Sequence, residues 1–274
     1  MSNLLTPPLK WAGGKRWLTP ILQDVWSQHQ SRRLVEPFAG GLAVALTLNP
    51  KTALLNDTNP HLINFYQQIN QGLKVTKRLS NSSDYFYRRR QEFNDKIRRN
   101  DFLTEDAAQL FYFLNRTGYN GLCRFNNSGL FNVPFGRYKK INYRQDFDEF
   151  SGTFKHWDFK NVDFAELNIE SDDFLYLDPP YDSEFTKYCK KDFTWDDQVR
   201  LVEWLADKDG PIISSNQATD RVLSLYRQHG FQIALLKAPR MISCNGDRKP
   251  AVEMFAWKNM DIQLKPCKFL LEQL

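Results

Sequence analysis

Apolar residues in the first sixty positions fall into short blocks separated by glycine, proline and polar turns. Leu34 and Val35 read as a strand running into the turn "EPFAGG" (36–41). "LAVALTL" (42–48) suits a helix, and "TALLNDTNP" (52–60) is a second strand, ending at Asp57 with Pro60 after the turn. Strand, helix and strand in that order imply parallel strands joined by a crossover. "HLINFYQQI" then opens a helical region running, with breaks, to about Asn115. Two short strand-like runs around "NNSG", within "LCRFNNSGLFNV" (122–133), predict a hairpin. After residue 145 the alternation returns. Strands are expected at 172–178 and in "PIISSN", "FQIALLKA" and "AVEMFAW", with helices in "TWDDQVRLVEWLAD" and "TDRVLSLYRQH". The pattern predicts an α/β sheet interrupted by a mainly helical insertion, with no internal repeat and no low-complexity segment.

Charge adds to this picture. The net formal charge is +5, but it is unevenly spread. Residues 1–73 carry six Lys and Arg against three acids, residues 74–144 fifteen against six, and residues 145–274 sixteen against twenty-three. The basic middle is also rich in aromatics, as in "DYFYRRRQEF" and "FGRYKKINYR". Positive charge interleaved with aromatic rings suits a polyanion with stackable bases, which makes nucleic acid the expected partner. No apolar run approaches the roughly 18 residues of a membrane span. The start, "MSNLLTPPLKWAGGK", lacks a signal peptide's apolar stretch. The four cysteines, Cys123, Cys189, Cys244 and Cys267, form no C-x-x-C pair and read as isolated reduced thiols of a cytoplasmic protein, with no metal site implied.

Three motifs carry candidate chemistry. Gly40 and Gly41 end the first strand, where open parallel sheets bind ligands, and glycine permits close approach of backbone to a cofactor. The turn is not G-x-G-x-x-G, which argues against a dinucleotide. Asp57, 17 residues beyond Gly40 at the end of the next strand, is placed to accept both ribose hydroxyls of a nucleoside-containing cofactor. A glycine turn or a helix-capping acid explains either one alone; the pair at this spacing favours the cofactor. "LKWAGGKRWL" (9–18) is a second glycine loop, whose Trp11 suits a purine and whose Lys15 suits a carboxylate.

The third motif is "DDFLYLDPPYDSEF" (172–185), a buried strand that stops at Asp178, Pro179, Pro180 and Tyr181. The exocyclic nitrogen of adenine or cytosine is a poor nucleophile because its lone pair is delocalised into the ring. Acceptors on both N–H bonds favour pyramidalisation and aim that lone pair at an electrophile. Asp178 supplies one acceptor and the Pro179 carbonyl the other. The prolines, with φ held near −65° and no N–H, preset the geometry, and Tyr181 stacks on the base.

The ordered set "LKWAGGK", "EPFAGG", "NDTNPHLINFY", "FLNRTGYNGLCRFNNSGLFNVPFGRYKK", "VDFAEL", "LYLDPPY", "FTKY" and "SSN" resembles the Dam-type DNA N6-adenine methyltransferases, the α group of the D12 class, from about residue 9 to 257. The resemblance implies a doubly wound, mostly parallel sheet of the S-adenosylmethionine-dependent methyltransferase fold, formed by residues 1–57 and 145–274. Residues 58–144 would form an inserted target-recognition domain carrying the hairpin. S-adenosylmethionine would be the donor, lined by Trp11, Lys15, Phe38, Ala39, Gly40, Asp57, Asp163, Phe164 and Asp178. The partner would be double-stranded DNA, from which the adenine is flipped, with the protein monomeric and no protein partner required. Tyr119 would wedge into the stack. Lys10, Asn120, Leu122, Arg124 and Pro134 would read base edges, while Arg116, Asn126, Asn132, Arg137 and Lys139 would hold phosphates. Arg124, with its planar fork, is the expected guanine reader. The implied target is GATC; "LLNDTNPHLINFY" also resembles relatives acting on GATATC, and cytosine N4 remains an alternative. "DSEF" is shorter than the family's usual segment there.

Overall fold

In the computed structural model, residues 5–181, 193–239, 251–265 and 269–274 are described. The "FTKY" match and Cys189, Cys244 and Cys267 lie outside them; Cys123 is a free thiol. An eight-stranded sheet has the order β3-β2-β1-β4-β5-β7-β6-β8. Its strands are β1 (Leu34–Glu36), β2 (Ala53–Asn56), β3 (Trp157–Lys160), β4 (Phe174–Leu177), β5 (Ile212–Gln217), β6 (Gln232–Ala238), β7 (Ala251–Lys258) and β8 (Leu270–Gln273). The first five pair in parallel; β7 runs antiparallel to both β5 and β6, and β8 is antiparallel to β6.

Alternate residues of the central strands enter two separate cores, which is the period-two geometry of a strand buried on both faces. Leu34, Leu55, Phe174 and Tyr176 join the core beneath α1 (Thr19–Trp26), α2 (Ala43–Leu48) and α3 (Pro60–Asn70). Val35, Leu54, Leu175 and Leu177 join the core beneath α7 (Trp195–Ala206) and α8 (Asp220–Gln228). The expected doubly wound sheet is therefore present. The register Leu34↔Ala53 and Leu34↔Phe174 brings the carboxyl ends of β1, β2 and β4 to one edge.

Between β2 and β3 the chain forms α3, α4 (Ser83–Arg98), α5 (Glu105–Thr117) and α6 (Asp148–Phe154). α3 starts at a proline, and Asn59 caps it by accepting from His61 and Leu62 N–H. Its buried face carries Phe65 and Tyr66. Phe65 stacks on Tyr112 of α5 at 5.7 Å, and Tyr66 meets Phe154 of α6 at 6.2 Å. Insertion and sheet thus share one continuous apolar core.

Two expectations need amendment. The hairpin predicted at 122–133 is a turn with a single antiparallel bridge, Phe125↔Phe131, instead of two strands. Its tip closes through Asn126, whose Oδ1 accepts from the N–H groups of Ser128 and Leu130, with Gly129 at φ +71°. Strands β3 and β8 and helices α1 and α6 were not anticipated. β3 alternates buried Trp157 and Phe159 with exposed Asp158 and Lys160 over only four residues, too short for the pattern to register.

Candidate active site

The site lies along the edge where β1, β2 and β4 end. The turn after β1 holds Gly40, at φ +47°, pressed against the indole of Trp11. A Cβ on Gly40 would lie 2.8 Å from Trp11 Nε1, and one on Gly41 2.6 Å from Trp11 Cβ, so both positions require glycine. Asp57, at the end of β2, accepts from Gly40 N–H at 3.1 Å through Oδ2 and from Asn59 N–H at 2.9 Å through Oδ1. Each oxygen keeps one acceptor direction. Burial pushes this carboxyl above its ordinary range, against those two hydrogen bonds. Tyr66 donates to the Gly40 carbonyl at 2.7 Å, tying the turn to α3.

At the end of β4, Asp178 faces Lys15. The ammonium lies 2.8 Å from Oδ1 and 2.9 Å from Oδ2, and also donates to the Gly13 carbonyl at 3.1 Å. Ser215 of β5 donates to Asp178 Oδ1 at 3.0 Å and shares a hydrogen bond with Tyr176. Oδ1 accepts from Ser215 and Oδ2 from Lys15, so with about two acceptor directions per carboxylate oxygen Oδ2 retains one. The carbonyl of Pro180 accepts from Gln198 of α7, and Gln198 is held in turn by Asn216. Among the described residues no hydrogen bond ends on the carbonyl of Pro179. Tyr181 places its ring 4.9 Å from Lys15 Nζ. Burial, then the Asp178 and Glu253 carboxylates, push its phenol well above the ordinary range.

Several of these residues escaped sequence reasoning. Glu36, in the last position of β1, is buried with Oε1 unpartnered among the described residues. Burial and then the charge of Asp178 push its carboxyl well up. Its signal was available: an acid ending an apolar run, in the same motif as the glycines. Asn56 joins two loops, donating to the carbonyls of Pro37 and Val162 and accepting from Val162 N–H. Ser215 and Asn216 were visible only as part of the motif "SSN". Gln198 carried no signal, because an amide in a helix is unremarkable until its partner is known.

The structure thus gathers Trp11, Lys15, Gly40, Asp57, Asp178 and Tyr181 at one edge, with Ala39 buried in the turn between them. Phe38 packs on Phe164 at 5.8 Å. Phe164 is itself buried beneath the guanidinium of Arg200, 4.2 Å from its ring centroid. The carboxylate of Asp163 is already engaged, by Arg200 at 2.6 and 2.9 Å and by Ala165 N–H at 2.9 Å. Arg200 holds that carboxyl below its ordinary range.

Apart from Arg116, in the last turn of α5, and Lys10, the residues expected to meet DNA lie on the loop that follows α5. Tyr119 is 49% exposed, with its N–H bound to the Pro134 carbonyl. Asn120 adopts the left-handed conformation, φ 51°, and Leu122 packs partly buried against the core. Arg124 is exposed and engages Asn132, from Nε to Oδ1 at 2.8 Å and from its terminal nitrogen to the backbone carbonyl at 3.3 Å. Asn126 spends its oxygen on the turn, and Arg116 donates twice to the Asn142 carbonyl. Arg137 and Lys139 are exposed. Lys10 spans the two regions. Its backbone exchanges hydrogen bonds with the Asn115 side chain, and its ammonium donates to the Arg116 carbonyl and sits 3.6 Å above the Tyr138 ring.

A family model of the D12 class N6 adenine-specific DNA methyltransferases matches residues 11–242. The chain belongs to that family and is an adenine-specific DNA methyltransferase. It is similar to the Retron Ec67 DNA adenine methylase of Escherichia coli, 37% identical over 264 residues and covering 90% of each chain. The DNA adenine methylase of Vibrio cholerae is 35% identical over 268 residues, covering 89% of this chain and 92% of the relative. The type II methyltransferase M.MjaIII of Methanocaldococcus jannaschii is 35% identical over 278 residues, covering 89% and 94%.

Proposed function

We propose that the protein transfers a methyl group from S-adenosylmethionine to N6 of an adenine flipped out of double-stranded DNA, within GATC, and acts as a cytoplasmic monomer. Residues 1–57 and 145–274 serve as the catalytic part and 58–144 as the recognition part. The observation that carries the reading is the state of the Asp178–Pro179 tip: one carboxylate direction remains on Oδ2, and the neighbouring prolyl carbonyl has no partner among the described residues. Those are the two acceptors an exocyclic amine needs.

The residues at the β1 and β2 ends fit the donor. The Gly40–Gly41 turn, flattened against Trp11, admits a ligand to the backbone, Asp57 has an acceptor direction left on each oxygen for ribose hydroxyls, and Glu36 Oε1 is a buried polar atom in want of a partner. Phe38, Ala39, Asp163 and Phe164 would complete the lining, the last as support for Phe38. Bound there, S-adenosylmethionine supplies an electrophilic methyl group on a sulfonium. Lys15 neutralises Asp178 on one side and leaves the other to accept an N6–H, while the Pro179 carbonyl takes the second. Held this way, the amine is pyramidal and oriented, and orientation is the main contribution a protein makes to such a displacement. Tyr181 stacks on the base and keeps water from the amine.

On the DNA side, Tyr119 fills the vacated position, and Arg124 leaves Asn132 to grip guanine O6 and N7. Lys10, Asn120, Leu122 and Pro134 complete the base contacts, and Arg116, Asn126, Asn132, Arg137 and Lys139 the phosphate contacts. Asp178→Ala is expected to abolish radiolabelled methyl transfer while DNA binding persists; full activity would end this reading. Arg124→Ala is expected to cost about 1–3 kcal/mol of discrimination at one guanine, whereas an equal loss on all sites would make it a phosphate contact. Mapping methylated sites in cells that otherwise lack adenine methylation tests GATC directly.

A further inference from the structure

A cavity of ≈ 430 Å³ opens between the start of α4 and the chain leaving the recognition turn. Tyr87, Tyr119 and Phe135 supply its aromatic surface, and Ser83 and Arg137 its polar groups. No residue of its lining belongs to the Asp178 site. Its volume falls within the about 300–1,000 Å³ of small-ligand sites. Tyr87 and Tyr119 are 41% and 49% exposed, two of the few large apolar side chains of the described residues left open to solvent.

These rings are held in place, which distinguishes a prepared surface from a chance exposure. The Arg90 guanidinium lies 4.7 Å from the Tyr87 ring centroid and donates to the Val133 carbonyl at 3.1 Å, and Phe86 meets the Tyr87 ring edge-on at 5.3 Å. Tyr119 is anchored through its N–H to Pro134. Gly136 in the lining admits no side chain, since a Cβ there would lie 2.4 Å from the Tyr138 ring and 2.8 Å from the Thr117 carbonyl. Arg137 stands next to it at φ 50°, and the surrounding residues 74–144 hold nine more basic than acidic side chains.

We propose that this cavity is a second nucleotide subsite, taking one unstacked base of the bound DNA against Tyr87 with its phosphate toward Arg137. The proposal rests on the reading of the protein as a methyltransferase of double-stranded DNA. Rings with exposed faces, one cation and one hydroxyl suit a base that has lost its stacking neighbour and is still joined to its phosphate. Two bases meet that description: the partner left unpaired opposite the extruded adenine, and a flanking base displaced by Tyr119. Their chemistry at the subsite is the same, and their positions in the DNA separate them.

The test uses the full chain and a duplex with one target site. Tyr87→Ala and Tyr87→Phe are compared with the parent for DNA affinity, on the intact duplex and on duplexes abasic at one position in turn. Tyr87→Ala is expected to weaken binding about tenfold, in keeping with the loss of one stacked base, with Tyr87→Phe close to the parent. On the duplex lacking the captured base the loss should vanish. That position, opposite the adenine or beside the site, identifies the source. Thermal melting of the variants should match the parent, since Tyr87 is exposed. An affinity within twofold of the parent for Tyr87→Ala, or a loss that persists at every abasic position, overturns the subsite. Parent protein that binds and methylates the duplex in the same experiment keeps the function reading intact. Parent protein that does neither fails that reading instead.

Discussion

Lys15 straddles both carboxylate oxygens of Asp178, at 2.8 and 2.9 Å, although 163 residues separate them in the chain. The ammonium also stands 3.9 Å from Glu253, so one cation faces two acids at the site. Removing it leaves the Asp178 carboxylate without its ion-pair partner in a largely buried place. Lys15→Met is expected to destabilise the protein by about 2–3 kcal/mol, somewhat below the loss for a fully buried pair. The double variant Lys15→Met/Asp178→Asn should recover most of that, because both charges are then gone. Neither protein should transfer methyl groups. Urea denaturation of Lys15→Met, Asp178→Asn and the double variant checks the stabilities, and additive losses would mean that the pair contributes no coupling.

Asn94 of α4 holds the recognition turn as a neighbouring strand would. Its side chain donates to the Phe131 carbonyl at 3.1 Å and accepts from Phe131 N–H at 2.8 Å, both buried. Asn132, the partner of Arg124, is the next residue. Asn94→Ala strands two buried backbone groups, each costing about 1–3 kcal/mol. The expected outcome is a lower melting temperature, together with weaker discrimination between cognate and single-substitution sites. An unchanged ratio of methylation rates across sites would confine Asn94 to a purely structural role.

Lys10 ties DNA affinity to pH. Burial, and then the charge of Arg116, lower its amine from 10.5 to about 8. The free protein therefore releases this proton as pH rises through about 8, while phosphates in the complex favour retaining it. Affinity is expected to fall about tenfold between pH 7 and 9 if the complex stays protonated, and the salt slope of binding to lose about one charge. Lys10→Met should bind more weakly and show neither effect. A parent titration flat from pH 7 to 9 would place the DNA away from this ammonium.

His61 makes stability sensitive to acid. It is buried among Phe93, Phe102 and Phe125, with the Phe125 ring stacked on it at 4.9 Å, and burial lowers it to about 4. An unfolded histidine titrates near 6.5, so below that the unfolded chain binds a proton that the folded protein refuses. Stability is lost as pH falls from about 6.5 toward 4, by about 2 kcal/mol at pH 5. Urea midpoints at pH 7 and 5 should separate accordingly, and His61→Phe should narrow the gap. Equal gaps in parent and variant would assign the acid sensitivity to other groups.

Much of the fold was legible along the chain, because burial of alternate or helically spaced residues leaves a local trace. The strands at Leu34, Ala53, Phe174 and Ile212 and the helices α7 and α8 lie where the apolar pattern put them. The order of strands was not legible. β7 lies between β5 and β6, and β3 joins the far edge through Ala53↔Trp157, outcomes of pairing between segments distant in sequence. The glycine turn after β1 and the Asp-Pro-Pro tip after β4 were recognisable because each stands at a strand end, a constraint written into neighbouring residues.

Sequence by itself determined the class of sheet, the ends of its central strands, the acid and glycine motifs at those ends, and the basic stretch between them. Tertiary structure alone decided which groups those motifs meet. It set Lys15 against Asp178, Gln198 on Pro180, Asn94 on Phe131, and Glu36 in the interior with no partner for Oε1 among the described residues. The physical reason is range. Periodicity and turn chemistry act between near neighbours, whereas contacts between residues 18, 37 or 163 positions apart exist only once the intervening chain has closed around them.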